Sequence, residues 1–359
     1  MAQFIEFDSS KQPRCKVELH AHLEGSVRCE TIWEIAEKKG FSLKCNTLEE
    51  FFHVCSIRSP SSLEQFLLAF AHFVPVIVGD VEAIERVAYE FCEDLADQNV
   101  IYSEVRYCPH LLCSSLENEI SGQLTPRDVV MCVNKGLNRG AAKFKLSVRS
   151  ILCCFRPNPE WSQEILDLCQ EFKSHGVVGI DVAGDEAKGL ADKEIIRVFK
   201  LAESLGIHRT AHAGEAGPSS NVQTALEEMK AERIGHGYHV VDDPDLYKRC
   251  LNDRVHFETC PYSSCLTGSV PLSATKHPIV RFAEDGANFS ISRDDPTVIQ
   301  KTLDQEYEFL RGFGLKDVHF TRANFNAARA CFLPEDEKKE LLMKLAETYG
   351  VQNICTVCQ

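Results

Sequence analysis

Two histidines, separated by one residue, stand at the end of a short strand-like run. Residues 16–19 lead into His20, Ala21 and His22, and alternate side chains of an extended segment point to the same face. Two imidazoles on one face at the end of a strand are a natural pair of metal ligands. The motif is weak when it stands alone, and its alternative is two partly exposed histidines in a loop.

Three further strand-like runs also end in histidine or acidic residues. The runs and the residues that follow them are 208–211 with His212 and Glu215, 233–235 with His236, and 288–291 with Asp294 and Asp295. The C-terminal ends of the strands of a parallel barrel converge on one face, where barrel enzymes place their active sites. Because a structural histidine at every strand end would need its own buried partner, we interpret the four clusters as one metal site.

The residue types narrow the choice of metal and assign candidate roles. Three imidazoles and one carboxylate suit zinc and leave a position for a water that the ion activates, although iron, cobalt or nickel would also fit. We therefore expect one Zn²⁺ per chain. Asp295, next to Asp294, is a candidate base or orienting carboxylate, and Glu215 is a candidate proton donor. His236 is either a fourth ligand or an electrostatic partner.

These clusters require a fold that gathers the ends of several strands. Apolar runs alternate with helical patterns along the chain, and a parallel strand needs a crossover connection to return. The sequence therefore predicts a (β/α)8 TIM barrel with additional helices and an active site at the C-terminal ends of the strands; a doubly wound open sheet is the alternative. The predicted strands are 16–19, 101–107, 146–153, 177–182, 208–211, 233–235, 255–259 and 288–291. The predicted helices between them are 81–98, 126–138, 162–174, 193–204, 222–231 and 244–251.

Two more helical patterns lie outside this alternation. Residues 62–74 are strongly apolar, and they form either a helix that caps the barrel or a lid that excludes water from the site. Residues 334–349 predict an amphipathic surface helix. The apolar stripe of the first segment consists of Leu63, Phe66, Leu67 and Phe70.

The composition is that of an ordinary globular protein. Of the 359 residues, 44% are hydrophobic and 26% are charged, with no change of composition that marks a domain boundary, so we predict one domain over residues 1–359. The net charge of −14 would repel phosphate backbones, and we expect no nucleic-acid partner. No apolar run approaches the length of a membrane span, so we expect no membrane partner either.

The 17 cysteines raise the question of disulfides. Their number is odd, most of them lie in apolar segments, and the first residues lack the basic and apolar regions of a signal peptide. We predict reduced, buried thiols in a cytoplasmic protein. Cys355 and Cys358 have zinc or redox spacing, but a single pair of this kind is weak evidence.

Four motifs, taken in order, resemble the adenosine deaminase family. They are VELHAHL at 17–23, HAGE at 212–215, RIGHGYH at 233–239 and DDP at 294–296. The likeness continues at 149–154, 181–186 and 332–338 and covers the chain from about Lys16 to about Tyr349. It implies hydrolytic deamination of adenosine and 2′-deoxyadenosine to inosine and 2′-deoxyinosine, with a small purine nucleoside as substrate. It also implies a monomer.

The resemblance also implies a role for each matched residue. Glu215 would protonate purine N1, while His236 and Asp295 would position and help deprotonate the attacking water. The backbone amide of Gly184 would meet N3, and Asp295 would approach N7. The implied zinc ligands are His20, His22, His212 and Asp294. The implied substrate-binding residues are His22, Glu24, Gly184, Asp295, Leu63, Phe66, Leu67 and Phe70.

Two positions depart from the pattern of the animal enzymes in this family. Glu24 stands where they usually have Asp, which is expected to accept the ribose 5′-hydroxyl, and Glu also occurs there in related adenine deaminases. Arg293 stands where a small hydroxyl residue often precedes the paired aspartates. We expect the Arg293 side chain to point to solvent rather than to lower the pKa values of those carboxylates.

Three alternative functions follow from the resemblance. An adenine deaminase and an N6-methyl-AMP deaminase share the fold, but a phosphate-bearing substrate should leave basic residues near Glu24, and we locate none. An inactive member that acts as a binding protein should lack a metal ligand or the acid. All of the matched positions are present.

Overall fold

The computed structural model describes residues 15–113, 124–186, 189, 191–273 and 277–351. Within them, eight parallel strands pair in sequence order. The pair Cys355 and Cys358 lies outside these residues. The strands are β1 (Lys16–His22), β2 (Val100–Tyr107), β3 (Ser147–Phe155), β4 (Val177–Ala183), β5 (His208–Ala213), β6 (Arg233–His236), β7 (His256–Thr259) and β8 (Asn288–Ile291).

Hydrogen bonds beyond the end of β8 join the last strand to the first. The amide of His22 donates to the carbonyl of Asp294 at 2.8 Å, and the amide of Asp294 donates to the carbonyl of His20 at 3.1 Å. The sheet thereby closes into the predicted barrel, and the open-sheet alternative is wrong. The closing contact is made by three of the residues that the sequence singles out for their chemistry.

Helices connect the strands and surround the barrel. In the described part of the chain they are α1 (Cys29–Lys39), α2 (Leu48–Cys55), α3 (Leu63–Leu68), α4 (Val74–Ile77), α5 (Val81–Asp97), α6 (Pro109–Leu112), α7 (Pro126–Phe144), α8 (Ser162–Glu171), α9 (Lys193–Ser204), α10 (Ser219–Glu227), α11 (Pro244–Asn252), α12 (Pro261–Leu266), α13 (Pro278–Glu284), α14 (Pro296–Ile299), α15 (Leu303–Arg311), α16 (Asp317–Ala330) and α17 (Glu335–Tyr349). None of these helices is long and apolar enough to cross a membrane.

Helix α7 extends beyond the predicted end at residue 138 because its glycines serve packing. A Cβ on Gly136 would lie 2.4 Å from the carbonyl oxygen of Glu85, and a Cβ on Gly140 would lie 2.5 Å from the Cβ of Cys92. Both contacts are with α5, so the two helices approach each other more closely than side chains would allow. Helix α7 begins at the predicted residue, where Thr125 and Asp128 form a capping box.

The thiols of the described residues match the sequence prediction. All of the cysteines there are free, and nearly all of them are buried. They pack with the aliphatic and aromatic residues of the core, where a thiol behaves as a small hydrophobic group.

Candidate active site

The ends of β1 and β5 and the segment after β8 bring three imidazoles and a carboxylate together. Nε2 of His22 lies 3.1 Å from Nε2 of His212. Oδ1 of Asp294 lies 3.3 Å from Nε2 of His20 and 3.4 Å from Nε2 of His22. His236 at the end of β6 joins them, since ligand atoms of His20, His212, His236 and Asp294 all lie within 4.8 Å of one another.

This arrangement fits a metal ion. Nε2 of His20 is buried and makes no hydrogen bond, and the facing nitrogens of His22 and His212 leave lone pairs directed at the same space. Burial lowers the pKa of His22 and that of His212, which favours the neutral imidazole that binds metals. His22 also forms a second, overlapping group with Asp294 and Asp295.

Buried carboxylates hold the opposite ring nitrogens of two of these histidines. Oε2 of Glu258 lies 2.7 Å from Nδ1 of His20, and Oδ2 of Asp181 lies 3.0 Å from Nδ1 of His212. The Arg106 guanidinium donates to both carboxylates, at 2.6 Å and 2.8 Å respectively. A carboxylate on Nδ1 fixes the tautomer that leaves the Nε2 lone pair free for a metal.

The structure places Glu215 beside the metal-binding cluster as a buried acid. Its Oε1 accepts a hydrogen bond from Thr267 at 3.1 Å, and its Oε2 lies 3.6 Å from Nε2 of His236. Burial, together with the charge of Asp294, raises the pKa of Glu215 well above its usual range. A carboxyl group that keeps its proton near neutral pH is suited to act as a general acid.

Two serines of helix α12 contact Asp294 and His236. Ser263 donates to Oδ2 of Asp294 at 2.7 Å, and the hydroxyl of Ser264 lies 3.1 Å from Nδ1 of His236. Oδ1 of Asp295 is buried without a hydrogen-bond partner. Burial lowers the pKa of His236 and raises that of Asp295, so His236 is available as a neutral base.

A cavity of about 410 Å³ opens onto these groups. It is walled mainly by apolar side chains, and none of its described lining residues is Lys or Arg. All of the residues predicted to bind substrate line it, namely His22, Glu24, Gly184, Asp295, Leu63, Phe66, Leu67 and Phe70. Glu215, His236, His212 and Asp294 lie on its polar side.

Comparison with known proteins agrees with the motifs and the geometry. A family model described as adenosine deaminase matches residues 15–348. The chain belongs to the adenosine deaminase family. It is 46% identical over 344 residues to the adenosine deaminase of Danio rerio and 48% identical over 343 residues to that of Xenopus tropicalis. Each alignment covers 94% of this chain and 96% of the relative.

Solved structures show the same fold. The adenine deaminase of Arthrobacter aurescens superposes with a TM-score of 0.83 at 24% identity, over 95% of this chain and all of that one. The chain is therefore an enzyme of the adenosine deaminase family, with a buried histidine and aspartate site on a parallel barrel.

The apolar segment that resembles the family's lid forms a wall of the cavity, but it is not one helix. Residues 62–74 divide into α3, a 3₁₀ turn at Ala69–His72 and the first residue of α4. Pro75 stands in the first turn of α4, and a proline cannot continue the preceding helix because its ring clashes with the turn before it. Phe66 is fully buried against the cavity, whereas Leu68 faces solvent with 54% exposure.

Glu24 departs from the usual Asp of the family and still faces the cavity. Oε1 accepts a hydrogen bond from the amide of Cys108 at 2.7 Å, while Oε2 is buried without a partner. Burial raises the pKa of Glu24 to about 7. An unpartnered carboxyl oxygen in an apolar wall can be satisfied by a hydroxyl group of a ligand.

The prediction that Arg293 points to solvent is wrong. The side chain is only 3% exposed, and it donates to both carboxylate oxygens of Glu18 at 2.9 Å and 2.8 Å. A buried guanidinium with a bidentate carboxylate partner is stable because the partner replaces lost water.

Sequence reasoning also missed several groups that hold the site. The carboxylate of Glu186 accepts hydrogen bonds from the amides of Gly214, Glu215 and Gly217 at 3.1, 2.5 and 2.8 Å, and so fixes the turn that carries the acid. Arg106 and Glu258 were available as a signal, because each is a charged residue inside a strand predicted to be buried.

Proposed function

We propose that this protein catalyses the hydrolytic deamination of adenosine and 2′-deoxyadenosine to inosine and 2′-deoxyinosine, with release of ammonia. The observation that most strongly supports this proposal is that the buried acid Glu215 lies beside the histidine and aspartate cluster, at the end of an apolar cavity. Relatives named adenosine deaminase, at 46% and 48% identity over nearly the whole chain, support this activity.

We propose that one zinc ion per chain is held by His20, His22, His212 and Asp294, because this donor set suits zinc. When bound, the ion would activate a water for attack on purine C6. The family resemblance assigns His236 to the reacting groups rather than to the metal, and its Nε2 lies 3.6 Å from Oε2 of Glu215 and 3.8 Å from Oδ2 of Asp294.

The protein groups would move the protons of the reaction. As the water oxygen bonds to C6, Glu215 gives its proton to N1, and neutral His236 accepts a proton from the water, which Asp295 helps to position. That proton passes to the amino group, the bond between C6 and the amino nitrogen breaks, and ammonia leaves. The proton on the new C6 oxygen returns to Glu215, so the product keeps its N1 hydrogen and its C6 carbonyl.

The cavity would fix the nucleoside in the orientation that this chemistry needs. The amide of Gly184 would donate to N3, Asp295 would contact N7, and the free oxygen of Glu24 would accept the ribose 5′-hydroxyl. The side chains that would exclude water are Leu63, Phe66, Leu67 and Phe70. A phosphate-bearing substrate is disfavoured, because the described lining contains no Lys or Arg side chain that would neutralise it. That the enzyme is a cytoplasmic monomer stays a prediction.

The direct test of substrate identity compares adenosine, adenine and N6-methyl-AMP. Deamination of each compound by metal-replete protein is measured from the change in ultraviolet absorbance. We expect the highest kcat/KM for adenosine. A higher kcat/KM for adenine would assign the free base as the substrate and refute the nucleoside proposal. Preference for N6-methyl-AMP would refute it equally.

The proposed contact of Glu24 predicts a loss with 5′-deoxyadenosine. Removing the ribose hydroxyl leaves a buried carboxyl without a partner, which costs about 1–3 kcal/mol, or roughly 5- to 150-fold in kcat/KM. The ratio between adenosine and 5′-deoxyadenosine should fall towards one in the Glu24→Ala variant. Equal kcat/KM values for the two nucleosides in the unchanged enzyme would show that no such contact exists.

The lid contributes to binding more than to chemistry. We expect Phe66→Ala to raise the KM for adenosine more than it lowers kcat, because the apolar cover removes base and sugar from water while the reacting groups lie across the site. Leu68→Ala is the matched control, since Leu68 lies on the same helix and faces solvent. Unchanged steady-state kinetics in Phe66→Ala would show that residues 62–74 only cap the barrel and do not act as a lid.

A further inference from the structure

A buried ion pair lies beneath two of the proposed site carboxylates. Arg293 is 3% exposed and Glu18 is fully buried. Besides the two bonds from its guanidinium, Arg293 donates from its backbone amide to Oε1 of Glu18 at 3.0 Å. Neither residue lines the cavity, so any effect on the reaction must pass through other residues.

The pair spans the junction at which the barrel closes. Glu18 stands on β1 two residues before His20, and Arg293 directly precedes Asp294. At this junction the backbones of Asp294, His20 and His22 exchange two hydrogen bonds. The pairing of β1 with β2 shifts register between Glu18 and Ala21. The three bonds from Arg293 therefore attach the segment after β8 to a part of β1 that is irregular on its other side.

The segment that follows Arg293 must be held in an unfavourable conformation. Asp294 has a φ of 66°, in the left-handed region that residues other than glycine seldom adopt and that persists only when the surroundings enforce it. Asp295 packs directly against the backbone of Gly25, because a Cβ on Gly25 would lie 1.8 Å from its Oδ1. A small displacement of this segment would change the direction of both carboxylates.

We propose that the pair of Glu18 and Arg293 is a positioning element that holds the backbone of Asp294 and Asp295 in the geometry that binds metal and reacts. The inference deepens the proposed function and depends on it for the assignment of Asp294 as a metal ligand. The single bonds of a serine or threonine at position 293 would not reproduce a guanidinium fork with a backbone bond to the same carboxylate.

The decisive variant replaces both partners, because one substitution alone leaves a buried charge unpaired and lowers stability. Glu18→Gln combined with Arg293→Met removes both charges at similar volumes, and the side-chain amide oxygen at position 18 can still accept the backbone amide of residue 293. Arg293→Lys and Glu18→Gln are the conservative single variants. For each protein, the thermal midpoint Tm, the Zn²⁺ dissociation constant by competition with a chromophoric chelator, and kcat and KM for adenosine are measured.

A positioning role predicts that the double variant has a Tm close to that of the unchanged protein but binds Zn²⁺ about 10- to 100-fold more weakly, as for other residues that orient metal ligands. At saturating Zn²⁺ its kcat/KM for adenosine falls, because Asp295 is proposed both to act on the attacking water and to contact N7. The matched control is Lys16→Met with Asp304→Leu, which removes another ion pair of β1, 2.5 Å in length, away from the site. We expect that control to keep the original Zn²⁺ affinity.

A double variant that folds and keeps both the Zn²⁺ affinity and kcat/KM would overturn the proposal and leave the pair a purely structural contact. If the double variant does not fold, the single variants decide in the same way, since weakened Zn²⁺ binding in folded Arg293→Lys supports positioning and unchanged binding refutes it. Failure of the proposed function would be seen separately, because the protein without substitutions would then bind Zn²⁺ but would not deaminate adenosine.

Discussion

Replacing Glu215 with Gln is expected to lower kcat for adenosine by about 10²- to 10⁴-fold, the usual contribution of a general acid. The amide has nearly the same shape and keeps the hydrogen bond from Thr267, but it cannot give a proton to N1. The loss should fall on kcat rather than on KM, because the missing interaction is made in the transition state.

Metal content is the internal control for this variant. Glu215→Gln should bind as much zinc as the unchanged protein, measured by atomic emission on the same samples as the kinetics, since Glu215 is not a proposed ligand. Near-normal turnover with full metal occupancy would mean that another group protonates the purine.

The second prediction with a large expected effect distinguishes the roles of the neighbouring carboxylates Asp294 and Asp295. We expect Asp294→Asn to lose most of its bound zinc and, with it, nearly all activity, because the variant removes a charged ligand. Asp295→Asn is the matched control and should keep its zinc while losing turnover. Both residues are about 4% exposed, so the comparison is between two equally buried positions.

The opposite outcome would change the assignment. Full zinc occupancy in Asp294→Asn would remove this residue from the ligand set. Loss of zinc in Asp295→Asn would instead favour the overlapping group of His22, Asp294 and Asp295.

The barrel is predictable because short strand-like runs alternate regularly with helical crossovers, but the ends of the strands are not predictable. The sequence pattern predicts that β1 ends at residue 19 and β5 at residue 211, whereas in the structure these strands continue to His22 and Ala213. The last residues of these strands are the ones with chemistry, so their polarity breaks the apolar pattern although their backbones remain paired.

Most of the site contacts that could not be predicted from the sequence join residues that are far apart along the chain. Arg293 was expected to point to solvent, and its partner Glu18 lies 275 positions away along the chain. The link from Arg106 to both Asp181 and Glu258 joins three different strands. Spacing along a chain carries no information on such contacts, whereas the proposed ligands follow the strand ends and could be predicted from the sequence.

The measurement that tests the account most directly is the metal dependence of product formation from adenosine. Protein stripped with a chelator, and the same protein reloaded with one Zn²⁺ per chain, would be assayed for inosine and ammonia together. We expect inosine and ammonia in equal amounts from the reloaded protein and almost none from the stripped protein. Undiminished inosine formation by stripped protein, or none by reloaded protein, would contradict a zinc-dependent adenosine deaminase.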